Sequence, residues 1–281
     1  MKALHDVPAP AKLNLFLHIT GRRPDGYHLL QSVFMLINWC DTLHFEVRRD
    51  GNIVREDLTV PLPEDDLIVR AARLLQAHSG HTQGAQIAVE KHIPAQAGMG
   101  GGSSDAASCL LALNRLWNLG LDLPNLEKLS LQLGADVPFF LRGCNAWVEG
   151  IGEQITPVKL PSGTFRVIKP EQGLDTRAIF THPQLNRATK AATIPDFAAD
   201  PFGFGHNDLQ PVAEQLCPDV TQALKRLADS GLQGRMTGSG SAVFALCPEG
   251  TAPVHLPDHW RVHDCSNLEV HPLRGWAASD N

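Results

Sequence analysis

The stretch that most constrains this chain runs from Pro94 to Ala107 and holds four glycines in the five positions 98–102, followed by Ser103, Ser104 and Asp105. Ahead of it, Ala85, Ile87 and Val89 alternate with polar or small residues, a period of two that predicts a half-buried strand. Behind it, Ala106, Ala107, Leu110, Leu111, Asn114 and Trp117 recur at helical spacing, with Leu113 widening the apolar stripe. The glycines therefore join a strand to a helix start. Ser103, Ser104 and Asp105 are the residue types that cap such an end.

Glycines let the backbone turn through positive φ and approach a ligand closely, so that successive N–H groups converge on one point. A helix start adds unpaired donors and partial positive charge, which together favour a phosphate group. The same residues also suit an ordinary Gly/Ser turn before a capped helix, and the stretch alone leaves both readings open. Two familiar phosphate loops do not fit. No lysine occurs between Lys91 and Lys128, as a Walker-type loop requires. Ser103 stands where the dinucleotide fingerprint begun by Gly98 and Gly100 needs its third glycine.

Near the start, Leu13, Leu15, Leu17 and Ile19 alternate with Lys12, Asn14, Phe16 and His18. Lys12 and Asn14 thus share one strand face, either solvated or lining a site. The loop from Thr20 to Leu30 presents Tyr27 beside His28, a pair able to stack on a flat ring and hydrogen-bond its edge, or to pack on the domain. Strands are expected over 32–38 and 42–48, flanking Trp39-Cys40-Asp41, and an amphipathic helix over 65–78. A short helix from near Pro124 leads to Asp136, an acid set between Gly134 and Pro138 and followed by two phenylalanines. That carboxylate is partly desolvated and suits a base or acceptor; a helix N-cap is the competing reading. Another strand is expected over 145–149.

Glycine and proline density over 157–163 marks a domain crossing, giving expected domains 1–156 and 157–281. Beyond it come a strand at 165–169, a capped helix entry at 173–180 and a proline-rich irregular run to Gly205. A helical stretch from Asn207, a helix over 220–230 and a second glycine/hydroxyl loop at Thr237 to Ser241 before a strand complete an α+β pattern. His255, His259 and His263 recur every four residues, but Pro257 interrupts the helix that would align them, and no metal site is expected.

With 43% hydrophobic and 19% charged residues, the 281-residue chain has globular composition. A net charge of −6 without any Lys/Arg run argues against a nucleic-acid partner. No stretch approaches a membrane span, and the first residues lack the apolar core of a signal peptide. Six scattered cysteines without a C-x-x-C pair read as reduced thiols of a cytoplasmic protein.

Three motifs, in order, resemble the GHMP kinase superfamily: Pro10-Ala11-Lys12-Leu13-Asn14-Leu15, then Pro94 to Ala107, then Thr237-Gly238-Ser239-Gly240. Met99 stands where the family often has leucine, and Ser241-Ala242 follows the third motif where proline or another small residue is frequent. Thr20 to His28 and Gly134 to Phe139 are similar to the branch that phosphorylates the 2-hydroxyl of a cytidine-diphosphate-linked sugar alcohol. The resemblance implies an α+β, two-domain GHMP kinase architecture. Its N-terminal domain would be ribosomal-S5-domain-2-like and its C-terminal domain ferredoxin-like, with the site in the cleft between them.

It also implies roles. Asp136 would take the proton of the attacking hydroxyl, with Lys12 beside it to favour the carboxylate and offset phosphoryl charge. Pro94, Ala95, Gln96, Ala97, Gly98, Met99, Gly100, Gly101, Gly102, Ser103 and Ser104 would hold ATP, with Mg2+ carried by the nucleotide rather than by a protein cage. Tyr27 and Phe180 would sandwich the cytosine, His28 would read its polar edge, Asn14 would hold the substrate and Thr176 would support the site. The expected partners are ATP and the cytidine-diphosphate substrate, with the chain a monomer or homodimer. Two other readings compete. A homoserine- or mevalonate-type kinase has a substrate with no base for Tyr27 and His28, and a non-catalytic nucleotide-binding regulator needs neither Lys12 nor Asp136.

Overall fold

In the computed structural model, which describes residues 2–277, strands β1 (Ala3–Arg22) and β2 (His28–Arg48) form one long antiparallel pair. The break expected at Trp39-Cys40-Asp41 does not occur, because Cys40 and Asp41 keep their ladder places opposite Pro10 and Ala9. There follow β3 (Ile53–Asp57), α1 (Leu67–Ser79), β4 (Gly84–Glu90), α2 (Gly101–Leu116), α3 (Leu123–Ser130) and α4 (Val137–Arg142). A hairpin of β5 (Ala146–Gly150) and β6 (Gln154–Pro157) closes the first half. The second half holds β7 (Thr164–Lys169), α5 (Thr176–Thr181), α6 (Ile194–Ala198), α7 (Gln210–Leu216), α8 (Pro218–Asp229), β8 (Arg235–Met236), β9 (Val243–Leu246) and β10 (Arg261–Ser266). The strands absent from the sequence reading, β3, β6, β8 and β10, are short and hold at most one buried residue each, so their patterns carry little apolar alternation.

The length of β2 has a topological reason. Its residues 30–34 pair with β5 and its residues 42–48 with β4, while β1 runs along its opposite edge. An edge position is where Pro8 and Pro10 of β1 are tolerated. The outer donors of β1 still need partners, and they find them far away in sequence. Lys12 N–H donates to Met99 O at 3.0 Å, Asn14 N–H to Thr237 Oγ1 at 2.9 Å and Leu17 N–H to His206 O at 2.9 Å. The free edge of β1 is therefore the seam on which the glycine loop and the C-terminal half converge.

Packing follows from the faces. Helices α1 and α2 bury Ala71, Leu75, Ala107 and Leu110 in one core with Leu43, Phe45 and Ile87 of the first sheet. The second sheet has the antiparallel order β10-β7-β9-β8, and α7 and α8 bury Val212, Val220 and Leu227 with its Ile168 and Val243, a ferredoxin-like layer. Between the two sheets, Leu13, Leu15 and Met35 meet Phe165, Val167 and Phe244. Both faces of β1 are thus covered, and Lys12 and Asn14 are only 3% and 1% exposed rather than solvated. A lysine so placed costs desolvation energy, which marks its face as one built for chemistry. Among the described residues, no helix is long and apolar enough to cross a membrane.

Candidate active site

Gly100 is the N-cap of α2 at φ 71°, and no side chain caps that helix. This corrects the capping role expected of Ser103, Ser104 and Asp105, which lie inside the helix. The first-turn N–H groups of Gly101, Gly102 and Ser103 consequently have no intrahelical partner, an arrangement suited to an anion. Pro94 to Ser103 all line a cavity of about 1150 Å³. Ser104 does not, and is a second correction. It is fully buried, with its N–H bonded to Gly100 O at 2.9 Å and its hydroxyl to Pro10 O at 2.7 Å, so both donors are spent within the protein.

The third motif braces this loop. Ser241 N–H donates to Gln96 O at 3.1 Å and Ala242 N–H to Ala97 O at 3.3 Å. At Gly98, φ 71°, a Cβ would fall 2.2 Å from Thr237 O, so a glycine is required for the two loops to touch. Asn207, which the sequence reading took only as a helix start, donates both amide hydrogens to Met236 O and Gly238 O at 2.8 Å. Thr176 Oγ1 lies 2.7 Å from Ser239 Oγ, joining α5 to the same loop.

On the floor of the cavity, the Lys12 ammonium donates to Asn14 Oδ1, stands 3.9 Å from Asp136 Oδ2 and lies 4.6 Å over the Phe34 ring. Burial pushes Lys12 below the usual lysine range, and Asp136 pulls the other way. Asp136 occupies the N-cap position of α4 but makes no capping bond, which leaves its carboxylate, 33% exposed, free for another partner. Asn14 is oriented in turn, since its Nδ2 donates to Ser32 Oγ at 2.8 Å and Ser32 Oγ donates to Phe16 O at 2.5 Å.

Tyr27, His28, Thr176 and Phe180 line another part of the cavity. Tyr27 is 61% exposed. The Phe180 ring packs against His28, centroids 5.3 Å apart and tilted by 40°. His28 Nε2 accepts from Arg187 Nε–H at 3.0 Å. Burial first, then Arg187 and Arg22, lower the pKa of His28.

Beneath the glycine loop lies a cluster that the sequence reading missed. Asp41 Oδ1 accepts from His92 N–H at 2.5 Å and Ile93 N–H at 2.8 Å, which fixes the backbone just ahead of Pro94. The Lys91 ammonium donates to Asp41 and, at 2.5 Å, to Asp105 Oδ2. No local pattern links positions 41, 91 and 105; only the fold does. The histidines at 255, 259 and 263 do not share a helix, and His263 instead stacks on Trp39 at 4.4 Å. Among the described residues, no group of three or more His, Cys, Asp or Glu is placed to hold a metal ion.

Residues 66–144 match the GHMP kinases N terminal domain and residues 188–257 the GHMP kinases C terminal domain. A 4-diphosphocytidyl-2-C-methyl-D-erythritol kinase of Variovorax paradoxus is 63% identical over 295 residues, covering 99% of this chain and 100% of that one. A crystal structure of 4-(cytidine 5'-diphospho)-2C-methyl-D-erythritol kinase superposes with a TM-score of 0.77 at 33% identity, covering 92% of this chain and 98% of that chain. A homoserine kinase from Cytophaga hutchinsonii shares the fold alone, with a TM-score of 0.68 at 14% identity over 96% of each chain. The chain belongs to the 4-diphosphocytidyl-2-C-methyl-D-erythritol kinase family of GHMP kinases.

Proposed function

We propose that this protein transfers the γ-phosphoryl group of ATP to the 2-hydroxyl of 4-diphosphocytidyl-2-C-methyl-D-erythritol, a step of the non-mevalonate (methylerythritol phosphate) route to isopentenyl diphosphate. The observation that carries this reading is a single cavity holding the Lys12–Asp136 pair, the helix-capped glycine loop and the Tyr27–His28–Phe180 cluster. Phosphoryl transfer needs positioning and charge stabilisation more than covalent chemistry, and these three parts supply them.

The loop from Pro94 to Ser103 and the first turn of α2 hold the phosphates of ATP by backbone N–H groups and helix polarity. Asp136 accepts the proton of the 2-hydroxyl as its oxygen attacks the γ-phosphorus and ADP departs. Lys12, 3.9 Å from Asp136, offsets negative charge on the transferring group. Asn14, steadied by Ser32, holds the acceptor alcohol beside Lys12. Tyr27 and Phe180 bracket the cytosine and His28 reads its edge, with Thr176 tying α5 to Ser239. A Mg2+ carried by the nucleotide would shield its phosphate charge, and the Ser103 hydroxyl on the cavity wall would be an oxygen donor of the type that ion accepts. We place the domain crossing at 157, giving domains 1–156 and 157–281. The strands of the first sheet end at Pro157 and those of the second begin at Thr164. A cytoplasmic location is supported by six cysteines that are all free thiols.

A phosphorylation assay with ATP and the diphosphocytidyl alcohol, run beside homoserine and mevalonate, tests the proposal. Turnover of the cytidyl substrate alone is the expected result. Folded, ATP-binding protein that leaves that substrate untouched overturns it.

A further inference from the structure

Arg187 is half-buried in the irregular run after α5. One terminal nitrogen of its guanidinium donates to Leu185 O at 3.0 Å, and the other to His182 O at 2.7 Å and Phe180 O at 3.3 Å. The planar fork is thus fixed to the end of α5, and its remaining Nε–H donates to His28 Nε2 at 3.0 Å. A ring nitrogen that accepts a hydrogen bond carries no proton, so neutral His28 holds its proton on Nδ1. Arginine cannot exchange its donor role for an acceptor one, so the assignment does not reverse. An imidazolium at this position would lose the bond and face the like charges of Arg187 and Arg22 in a partly desolvated setting.

We propose that Arg187 is a positioning residue that fixes His28 as the neutral Nδ1–H tautomer, so that the cavity presents a ring donor to the base and selects cytosine over uracil. This inference rests on the cytidyl-kinase reading given above. Cytosine offers N3 as an acceptor, whereas uracil carries a hydrogen there. An Nδ1–H therefore bonds the first and meets a second donor in the other. The opposite tautomer would present a bare nitrogen and reverse the preference. Arg187 also holds the Phe180 carbonyl, so one side chain sets both the ring against the base and the hydrogen bond that reads it.

The test uses full-length protein labelled with 15N-histidine, with His28 assigned by its loss in His28→Gln. A long-range proton–nitrogen spectrum is expected to show a protonated Nδ1 and a bare Nε2. A proton on Nε2, or an imidazolium at neutral pH, overturns the proposal whatever the turnover. In parallel, Arg187→Met removes the donor, while Arg187→Gln keeps an N–H without the charge. Arg187→Met is expected to raise KM for the cytidyl substrate about tenfold, the worth of one oriented hydrogen bond, with kcat within about twofold. Its preference for that substrate over the uridine counterpart falls by about the same factor, and Arg187→Gln retains more of both. An unchanged preference in folded Arg187→Met overturns the inference. If that variant does not fold, the wild-type spectrum and Arg187→Gln decide. A wild type with bare Nε2 that turns over neither pyrimidine substrate instead sinks the kinase reading, and the base selection built on it.

Discussion

Lys12 Nζ and Asp136 Oδ2 stand 3.9 Å apart, one side chain 4% exposed and the other 33%. That separation is too long for a direct hydrogen bond, so each group keeps capacity for a third oxygen between them. An acceptor hydroxyl placed there meets its base and a stabilising cation together. Asp136→Asn preserves shape and removes the base, and kcat is expected to fall by about 10²–10⁴-fold. Nucleotide affinity, measured by fluorescence titration, should stay within about twofold because Asp136 makes no bond to the glycine loop in the structure. A variant retaining a tenth or more of wild-type kcat removes Asp136 from that role.

Lys12 also sets a pH dependence. Desolvation outweighs the pull of Asp136, so the folded-state pKa lies below the ordinary 10.5 that the unfolded chain shows. Between those two values the unfolded state binds more protons than the native state, and stability rises with pH. Urea unfolding of wild type and Lys12→Met from about pH 8 to about pH 10.5 should therefore show the difference between them moving in favour of wild type. A shift in the opposite direction contradicts the buried, desolvated ammonium. The alkaline limb of kcat should likewise fall below the range of an exposed lysine.

Much of this site was legible before the fold was known, because its chemistry sits in contiguous runs. The glycine loop, Lys12 with Asn14, and Tyr27 with His28 each announce themselves within a few positions. What escaped is what depends on contacts between distant segments. Asn207 reads as a helix start, yet it fastens the loop at 236–238; Arg187 reads as irregular surface, yet it supports His28. The Asp41–Lys91–Asp105 cluster joins a strand, a strand end and a helix. Ser104 erred the other way. Its type and position suit a phosphate, but the helix turns its hydroxyl toward Pro10. Cys40 and Asp41 misled for a different reason, since two polar or small residues can sit inside a strand when the ladder with its neighbour, here Pro10 and Ala9 of β1, continues past them.

Tyr27 and Phe180 should separate stability from binding. Tyr27 is 61% exposed, so Tyr27→Ala is expected to change stability by less than about 0.5 kcal/mol. Its KM for the cytidyl substrate should nevertheless rise about tenfold, since stacking of a base on an aromatic ring contributes about 1–3 kcal/mol. Phe180 packs against the core of the second sheet as well as against His28, so Phe180→Ala should lower both Tm and substrate affinity. An unchanged KM for Tyr27→Ala argues against stacking.

Asn207 makes three bonds while 3% exposed: two donated to Met236 O and Gly238 O, and one accepted from Leu209 N–H at 2.9 Å. Asn207→Ala leaves three buried backbone groups without that partner and is expected to cost about 3 kcal/mol. Because Gly238 abuts Gly98, KM for ATP should rise while KM for the cytidyl substrate changes less. Chemical denaturation with parallel kinetics checks both. Equal effects on the two KM values would show a general loosening rather than a loop fastened to the nucleotide side.

The contact between the two glycine loops can be tested by a matched pair of substitutions. Gly98 and Gly120 both have positive φ, 71° and 66°. Alanine at either pays the left-handed backbone penalty, about 1 kcal/mol. They differ in what a Cβ meets. At Gly120 nothing lies within 4 Å, whereas at Gly98 Thr237 O would be 2.2 Å away and Gly240 N 2.8 Å. Both obstructing atoms are backbone, so relief requires the loops to part. Gly98→Ala is therefore expected to cost about 2 kcal/mol more than Gly120→Ala by urea unfolding, and to weaken ATP binding at least about tenfold. Gly120→Ala should bind ATP as wild type does. Similar losses in the two variants would mean that conformation alone, not the loop-to-loop contact, makes glycine necessary at position 98.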